Sequence, residues 1–371
     1  MVEPRYDAAE LIDLTAQLFH QAGLDEPIAR VVAEILVEAD LLGYSTHGLL
    51  FVPAYLADVE NGKTTTQGEP DIINDTGSGL LLDGGMLPGQ WVVVRALALA
   101  RERLQEHPVV TVAIAGCQNI SCLATYVKRA AEGGKMALLA TSTPSNAVVA
   151  PYGGRTPRLS TNPFAIGIPT KDAPILIDTS ASATTNRGVE RARRAGVRLE
   201  QKVLVDSQGH PSDDPEVIYT DPPGAIMPAG GLDMGHKGFA LALFVEALTS
   251  GLVGQGRAAG GTARGCNVFL QLTDPEAFGG LNAFRHETGF LADICREAEP
   301  LANGPKVRVP GDRAHQAFRE QSWTEARERF AQAAALQPND KIAPLYLQRI
   351  DHYQLHNPGE HWDGVWTMEH K

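Results

Sequence analysis

A histidine in a short polar break is the first side chain of this sequence that could do chemistry. The stretch GYSTHGLLFVPAYL, residues 43–56, places His47 after one predicted helix and just before the next apolar run. The pKa of an unperturbed imidazole is about 6.5, so His47 could donate and accept protons near neutral pH. The alternative is a solvated loop residue, which the residue type alone favours.

A carboxylate at the end of an apolar run is the second candidate. Asp178 closes the segment PILID, residues 174–178, which predicts a buried strand because it is short, apolar and bounded by polar residues. The carboxylate at the end of this predicted strand is a candidate functional group. It could equally cap the following segment TSAS, and both interpretations stay open.

Two further motifs could contact a ligand. GHKG, residues 235–238, is predicted to open an apolar helix over 238–253, where free N–H groups and the helix dipole attract phosphate and Lys237 adds positive charge. STNP, residues 160–163, offers hydroxyl and amide groups before a proline. The alternatives are a plain glycine-rich helix start and a simple turn, the latter above all for Ser160.

The composition narrows the class of protein. The chain has 371 residues with 32 basic and 44 acidic side chains, and its net charge of −12 argues against nucleic acid or an anionic membrane as partner. The four cysteines form no CxxC pair and no common zinc spacing, so we expect reduced thiols in a cytoplasmic protein and no metal site. No segment is long and apolar enough to predict a membrane span or a signal peptide.

The helices and strands that must position these residues are predicted from the spacing of apolar residues and from the glycine, proline and polar residues that bound each segment. Helices are predicted over 7–20, from Asp25 to Gly43, from near Gly89 and over 122–133. Four short apolar runs predict buried strands between 109 and 180, and NVFLQL, residues 267–272, predicts another. The helix over 122–133 gives a strand–helix–strand unit. The predicted fold class is therefore α/β.

Five segments resemble the malate/L-lactate dehydrogenase family of NAD(P)-dependent oxidoreductases. They are STHGLLFVPAYL, STNPFAIGIP, DTSASATTN, GGLDMGHKGFALALFVEALTSGL and NVFLQLTDPEAFGG, and they occur in the family's order. The resemblance implies a fold other than the Rossmann fold, in agreement with the absence of GxGxxG. It further implies a helical substrate domain, an inserted cofactor domain around a mixed sheet, a homodimer, and an active site between domains.

The expected domain boundaries follow from this resemblance and from a change in composition. Residues 1–75 are expected to form the first part of the substrate domain, 76–272 the cofactor domain, and 273–310 a return to the substrate domain and a linker. Residues 311–371 are predicted to form a tetratricopeptide-like helical hairpin, since Trp323 and Phe330 recur at helical spacing. Residues 315–371 resemble the helical tail of some bacterial adenylate cyclases, and this tail could bind a protein partner.

The resemblance also implies roles for single residues. His47 matches the histidine that protonates the carbonyl oxygen, Thr46 stands where the family has the serine that precedes it, and Asp178 matches an aspartate close to that histidine. The implied site for NAD or NADP draws on seven residues: Asn119, Ser160, Thr161, Asn162, His236, Lys237 and Gly238. Arg155 and Lys171 are candidates for holding the substrate carboxylate.

Three positions depart from the family pattern, one of them an extra Arg187 before the glycine of TTNRGV. Phe51 stands where many members have an arginine that grips the substrate carboxylate, and a phenyl ring cannot pair with a carboxylate. Either another cation such as Arg155, Arg158 or Lys171 replaces it, or the substrate differs. Asn119 stands where members have a histidine, and an amide cannot shuttle a proton. The main hypothesis is an oxidoreductase acting on a small 2-hydroxy or 2-oxo acid, and the alternative is a catalytically weakened protein that binds a nucleotide or a partner.

Overall fold

A seven-stranded mixed sheet carries Asp178 on one of its strands, and its connecting loops hold Asn119 and residues 160–162. Its members are β1 (Asp71–Asp75), β2 (Gly79–Asp83), β3 (Val109–Cys117), β4 (Met136–Ser142), β5 (Pro163–Ile168), β6 (Ile175–Ser180) and β10 (Cys266–Thr273). The strand order is β1–β2–β3–β10–β4–β5–β6. Only the β2–β3 pair is parallel within this sheet, and the other five neighbouring pairs are antiparallel. This arrangement confirms the predicted α/β class with a mixed sheet.

The middle strand β10 explains how the predicted strand–helix–strand unit is built. Helix α5 (Leu123–Glu132) connects β3 to β4, and β10 lies between those two strands, antiparallel to both. Val268 and Leu270 are fully buried, and so are Val112 and Ile114 of β3. Strands covered on both faces are expected to be apolar throughout rather than alternating, and this is the pattern of the runs from which the strands were predicted.

Four more helices lie in the same part of the chain as the seven-stranded sheet, within residues 68–312. They are α4 (Gly89–Arg103), α6 (Asn186–Arg194), α7 (Gly231–Glu246) and α8 (Leu281–Glu297). Helix α7 corrects two predictions. It begins at Gly231 rather than at residue 235, and it continues as one π-helical turn over Ala247–Gly251. The continuous apolar sequence over 238–253 predicts a helix that is buried on most sides, but Leu243 and Phe244 are about half exposed.

A second, three-stranded sheet was not predicted. Its strands β7 (Leu204–Val205), β8 (Pro211–Ser212) and β9 (Ala225–Ile226) lie in the order β8–β7–β9. Each has only two residues, too few for an apolar or alternating pattern to appear in the sequence.

The N-terminal helices form a separate unit. Asp7 caps the N-terminus of helix α1 (Ala8–Gln21), and its carboxylate accepts the N–H of Glu10 at 2.9 Å. Helix α2 (Glu26–Leu41) packs against α1, and Phe19 and Ile28 are among the buried apolar side chains of the two helices. Gly43 has φ of +80°, the left-handed conformation that ends many helices, as predicted. A 3₁₀ turn over Leu49–Phe51 then leads into α3 (Val52–Glu60).

This computed structural model describes residues 7–259 and 264–320. The described residues fall into two compact units, one formed by 7–67 and 313–320 and the other lying within 68–312. Helix α9 (Asp312–Glu320) is the last described element, so the predicted tail hairpin lies outside the described residues. The functional domain boundaries stay predictions. No helix in the described ranges is long and apolar enough to cross a membrane.

Candidate functional site

The loop that carries His47 is held to the end of α2 by a carboxylate. Oδ2 of Asp40, in the last turn of that helix, accepts the N–H of Leu49 at 2.8 Å. A Cβ at position 48 would overlap the Asp40 carboxylate, so only Gly48 allows the loop to pass this close. The sequence around His47 therefore folds into one defined loop between α2 and the 3₁₀ turn.

Within this loop, a hydroxyl group contacts the imidazole. Oγ1 of Thr46 lies 2.8 Å from Nδ1 of His47, a hydrogen bond in which either partner can donate, depending on the tautomer. The His47 side chain is half-buried. Thr46 is thus placed to hold the ring in one orientation, while the catalytic roles of both residues stay predictions.

Asp178 lies two residues before the end of β6 and contacts the start of α5. Its Oδ2 accepts the N–H of Ala124 at 2.8 Å and the thiol of Cys122 at 3.6 Å. The idea that Asp178 caps the following TSAS segment is wrong, because both of its hydrogen bonds within the described residues go to residues 122–124. Burial raises the pKa of the Asp178 carboxyl to about 6, although both donors favour its ionised form.

Asn119 belongs to the turn that enters the same helix. Its Oδ1 accepts the N–H of Ser121 at 2.8 Å, and Ser121 has φ of +62°. The amide therefore stabilises a left-handed turn at the end of β3, immediately before Cys122. The structure thus places Asn119 and Asp178 on the same entry to α5, which their separation in sequence did not indicate.

The segment Ser160–Asn162 is built into a buried polar network. Ser160 and Asn162 are both buried, and their side chains bond to each other at 2.5 Å from Oγ to Oδ1. Nδ2 of Asn162 donates to Oε1 of Glu246 at 3.1 Å, and Arg257 pairs with that same oxygen at 2.8 Å. The side chains of Ser160 and Asn162 are therefore engaged internally, and Thr161 is the partly exposed member of the predicted cofactor loop.

Sequence reasoning missed Glu246 and Arg257. Arg257 also donates to the carbonyl oxygens of Pro144 and Asn146, so one guanidinium connects the end of α7 with the loop after β4. The available signal was a charged residue inside the otherwise apolar segment GFALALFVEALTSGLV, since a buried charge is expected to have a partner.

The GHKG motif lies inside helix α7 and not at its start, where it was predicted. Because α7 begins at Gly231, the amides of residues 235–238 lie beyond its first turn and are used within the helix, so they are not free to bind phosphate. A Cβ on Gly238 would meet the backbone of Ala181 and Ala229, so this glycine allows close packing. The side chains of His236 and Lys237 are exposed, and the His236 ring meets Tyr152 edge-on at 5.8 Å.

The two predicted substrate cations lie in two different loops. Nη1 of Arg155 donates to the carbonyl oxygen of Ser207 in the β7–β8 turn at 3.0 Å. Lys171 is exposed in the turn between β5 and β6, so the six residues of β5, about 20 Å, separate it from Asn162. Within residues 7–259 and 264–320, no three potential metal ligands are grouped together.

Comparisons with known proteins agree with this architecture. The family model described as malate/L-lactate dehydrogenase matches residues 6–325. The chain is 29% identical to the malate/(S)-sulfolactate dehydrogenase of Methanothermus fervidus, over 81% of this chain and 86% of that protein. It is 31% identical to the Δ1-pyrroline-2-carboxylate reductase of Ancylobacter novellus, over 87% and 94% of the respective chains. The structure of Δ1-piperideine-2-carboxylate reductase from Pseudomonas syringae superposes with a TM-score of 0.75 at 27% identity, covering 87% of this chain and 95% of that one.

Proposed function

The chain belongs to the malate/L-lactate dehydrogenase family of oxidoreductases, and we propose that it reduces a small 2-oxo acid to the 2-hydroxy acid with NADH or NADPH. The overall change consumes the 2-oxo acid, one hydride and one proton. The contact that carries the proposal is the 2.8 Å hydrogen bond between Thr46 Oγ1 and His47 Nδ1. It gives the imidazole the fixed orientation that a proton donor to the carbonyl oxygen needs.

In this proposal His47 is the general acid, and Nε2, the other ring nitrogen, carries the proton that is transferred. Histidine suits this step because its protonation changes near neutral pH. Thr46 is a positioning residue that acts through the ring. In the reverse direction, His47 takes the proton from the hydroxyl group of the 2-hydroxy acid.

The exposed groups around the start of α7 fit a dinucleotide. Tyr152 is 43% exposed, its hydroxyl donates to the carbonyl oxygen of Leu232 at 3.0 Å, and its ring contacts His236. Flat rings of this kind can stack on a base, and the exposed ammonium of Lys237 can attract a phosphate. Tyr152, His236 and Lys237 would hold the cofactor, which when bound supplies the hydride.

Kinetics with purified protein test the proposal. NADH or NADPH is mixed with a panel of 2-oxo acids, and the absorbance of reduced nicotinamide is followed. We expect turnover, and we expect His47→Gln to lower kcat by about 100-fold or more. His210→Gln is the matched control, because His210 is an exposed histidine that contacts only Asp206 within the described residues. Nicotinamide binding without turnover would instead support the catalytically weakened alternative.

We further propose that two copies associate through α7 and the turn that follows it. Leu241, Leu243, Phe244 and Leu252 expose large apolar side chains on this segment. A segment that exposes several large apolar side chains is a candidate contact surface, and a second copy would cover it. The four cysteines are free thiols and three of them are buried, which supports the proposal of a reducing, cytoplasmic location. A protein partner for residues 315–371 stays a proposal as well.

A further inference from the structure

The proposed proton donor is bordered by two aromatic rings. The ring of Phe51 lies 5.8 Å from the His47 ring, centroid to centroid, with 64° between their planes. The ring of Tyr55 stacks on Phe51 at 5.1 Å and 10°. Phe51 is buried and Tyr55 half-buried, so both rings are held in place by packing. Two rings therefore border His47 on this side, and the half-buried Tyr55 is the one that a ligand group beside His47 could reach.

The charges of residues 7–67, the N-terminal part of this unit, are predominantly negative. Residues 7–67 contain ten acidic and two basic side chains. Both basic residues have acidic partners: Arg30 pairs with Asp13 and Glu34, and Lys63 lies 3.5 Å from Asp58. The Asp40 carboxylate is bonded into the His47 loop itself. A second anionic group on a ligand at this place would meet a negative field and apolar rings.

We propose that the substrate protonated by His47 is a 2-oxo acid with a single carboxylate and an apolar side chain, which packs beside the Phe51–Tyr55 pair. This inference rests on the proposed function and deepens it. Burying hydrocarbon against the rings is favourable, whereas moving a second carboxylate from water to this surface would leave its charge unpaired. A dicarboxylic 2-oxo acid is therefore a poor substrate.

The chemical step is the same for both kinds of acid. The carbonyl carbon gains a hydride, the C=O double bond becomes single, and the oxygen takes the proton of His47. Selectivity thus arises from the side chain of the substrate and not from its reactivity. A pair of substrates with side chains of nearly equal shape isolates this effect: 4-methyl-2-oxopentanoate ends in an isopropyl group where oxaloacetate ends in a carboxylate.

The first experiment uses the unmodified full chain. We measure kcat/KM for 4-methyl-2-oxopentanoate, phenylpyruvate, oxaloacetate and 2-oxoglutarate with each reduced nicotinamide cofactor. We expect the two apolar acids to be preferred over the two dicarboxylates by about 100-fold. Equal or better turnover of oxaloacetate overturns the inference and leaves the proposed function standing. Failure to reduce any 2-oxo acid overturns the proposed function and the inference together.

The second experiment changes the ring next to His47. Phe51→Arg adds a cation that can pair with a carboxylate, so we expect kcat/KM for oxaloacetate to rise and that for 4-methyl-2-oxopentanoate to fall, each by about 10-fold or more. Phe51→Leu is the matched control, since it keeps an apolar side chain and should keep the preference for apolar acids. If Phe51→Arg does not fold, the substrate panel on the unmodified chain still decides. An unchanged preference in a folded Phe51→Arg protein contradicts the inference.

Discussion

The thiol of Cys122 lies 3.6 Å from Oδ2 of Asp178, where the N–H of Ala124 also bonds the same oxygen at 2.8 Å. The thiol and the N–H favour the charged carboxylate, while burial disfavours it. Burial is the larger effect and raises the pKa of Asp178 from its ordinary value of 3.8 to about 6. The Asp178 carboxyl, which lies on β6 and contacts the start of α5, therefore changes its charge close to neutral pH.

Replacing Asp178 by asparagine should change how stability depends on pH. Between about pH 4 and pH 6 the folded protein binds more protons at Asp178 than the unfolded chain, so the unmodified protein loses stability as the pH rises through this window. Asp178→Asn lacks this loss. Relative to the variant, the unmodified protein should lose at most about 3 kcal/mol between pH 4 and pH 7, an upper bound because the side chain is partly accessible to water.

Urea unfolding at several pH values measures this difference. The absolute stabilities of the two proteins can differ for other reasons, because asparagine alters the hydrogen bonds to Cys122 and Ala124. Only the dependence on pH reports the carboxyl group. Parallel curves of unfolding free energy from about pH 4 to pH 7 would show that Asp178 has an ordinary pKa.

We expect the thiol of Cys122 to lower the pKa of Asp178 by donating to its carboxylate. Cys122→Ala removes one donor to the carboxylate and should raise the pKa of Asp178, whereas Cys122→Ser supplies a stronger donor and should lower it. A net hydrogen bond of about 1 kcal/mol corresponds to a shift of about 0.7 pH units. The carboxyl carbon of Asp178, followed by NMR during a pH titration, gives the value without any need for turnover.

A second buried thiol provides the control. Cys266 contacts Oγ1 of Thr143 at 3.3 Å rather than a carboxylate, so Cys266→Ser should leave the titration of Asp178 unchanged. Shifts of the same sign in Cys122→Ala and Cys122→Ser would mean that general disturbance of the core, and not hydrogen bonding, moves the pKa.

Thr46 should matter for the rate through the hydrogen bond that it makes to His47. Thr46→Val keeps the size and branching of the side chain but loses the hydroxyl at 2.8 Å from Nδ1, so kcat should fall by about 10-fold while KM changes little. Thr46→Ser keeps the hydroxyl and should stay near the unmodified rate. The ¹⁵N shifts of His47 should also report a changed tautomer balance in Thr46→Val alone, which a purely structural role would not produce.

The buried runs of the main sheet and its β6 edge could be predicted, and its β1 edge could not. Strands β3 and β4 could be predicted because a continuous apolar run bounded by glycine and polar residues is typical of a strand that is covered on both faces. β1 has the sequence DIIND, and all five of its residues are exposed, so no burial pattern marks it. Helix α7 was placed too late, because the pair Gly230–Gly231 starts the helix and glycine is a weak start signal inside a glycine-rich segment.

The residues of the candidate site could be predicted from their types, but their hydrogen-bond partners could not. His47 and Asp178 were found because their side chains suit proton chemistry and stand in recognisable segments. The contacts of Asp178 with residues 122 and 124 span more than 50 positions, and only the meeting of β6 with the start of α5 creates them. The same holds for Arg257 and Asn162, which meet at Glu246 through tertiary packing.

Removing Arg257 should destabilise the chain. Arg257→Met leaves the mostly buried Glu246 without its cation and frees the carbonyl oxygens of Pro144 and Asn146, so unfolding should become easier by about 3 kcal/mol. The double change Arg257→Met with Glu246→Gln should recover part of this loss, because no buried charge then remains. Urea unfolding measures both. Arg198→Met, in an exposed pair with Asp213, is the control and should have little effect.

The exposed apolar side of α7 should control association. Phe244 is 54% exposed in the single chain, so Phe244→Glu should cost the monomer little but place a charge in the centre of the proposed contact between two copies. Sedimentation should show a dimer for the unmodified chain and a monomer for the variant. Val197→Glu is the control, because Val197 is equally exposed but follows α6, and it should remain dimeric. A monomeric unmodified chain, or a dimeric Phe244→Glu protein, would show that α7 is not the contact surface.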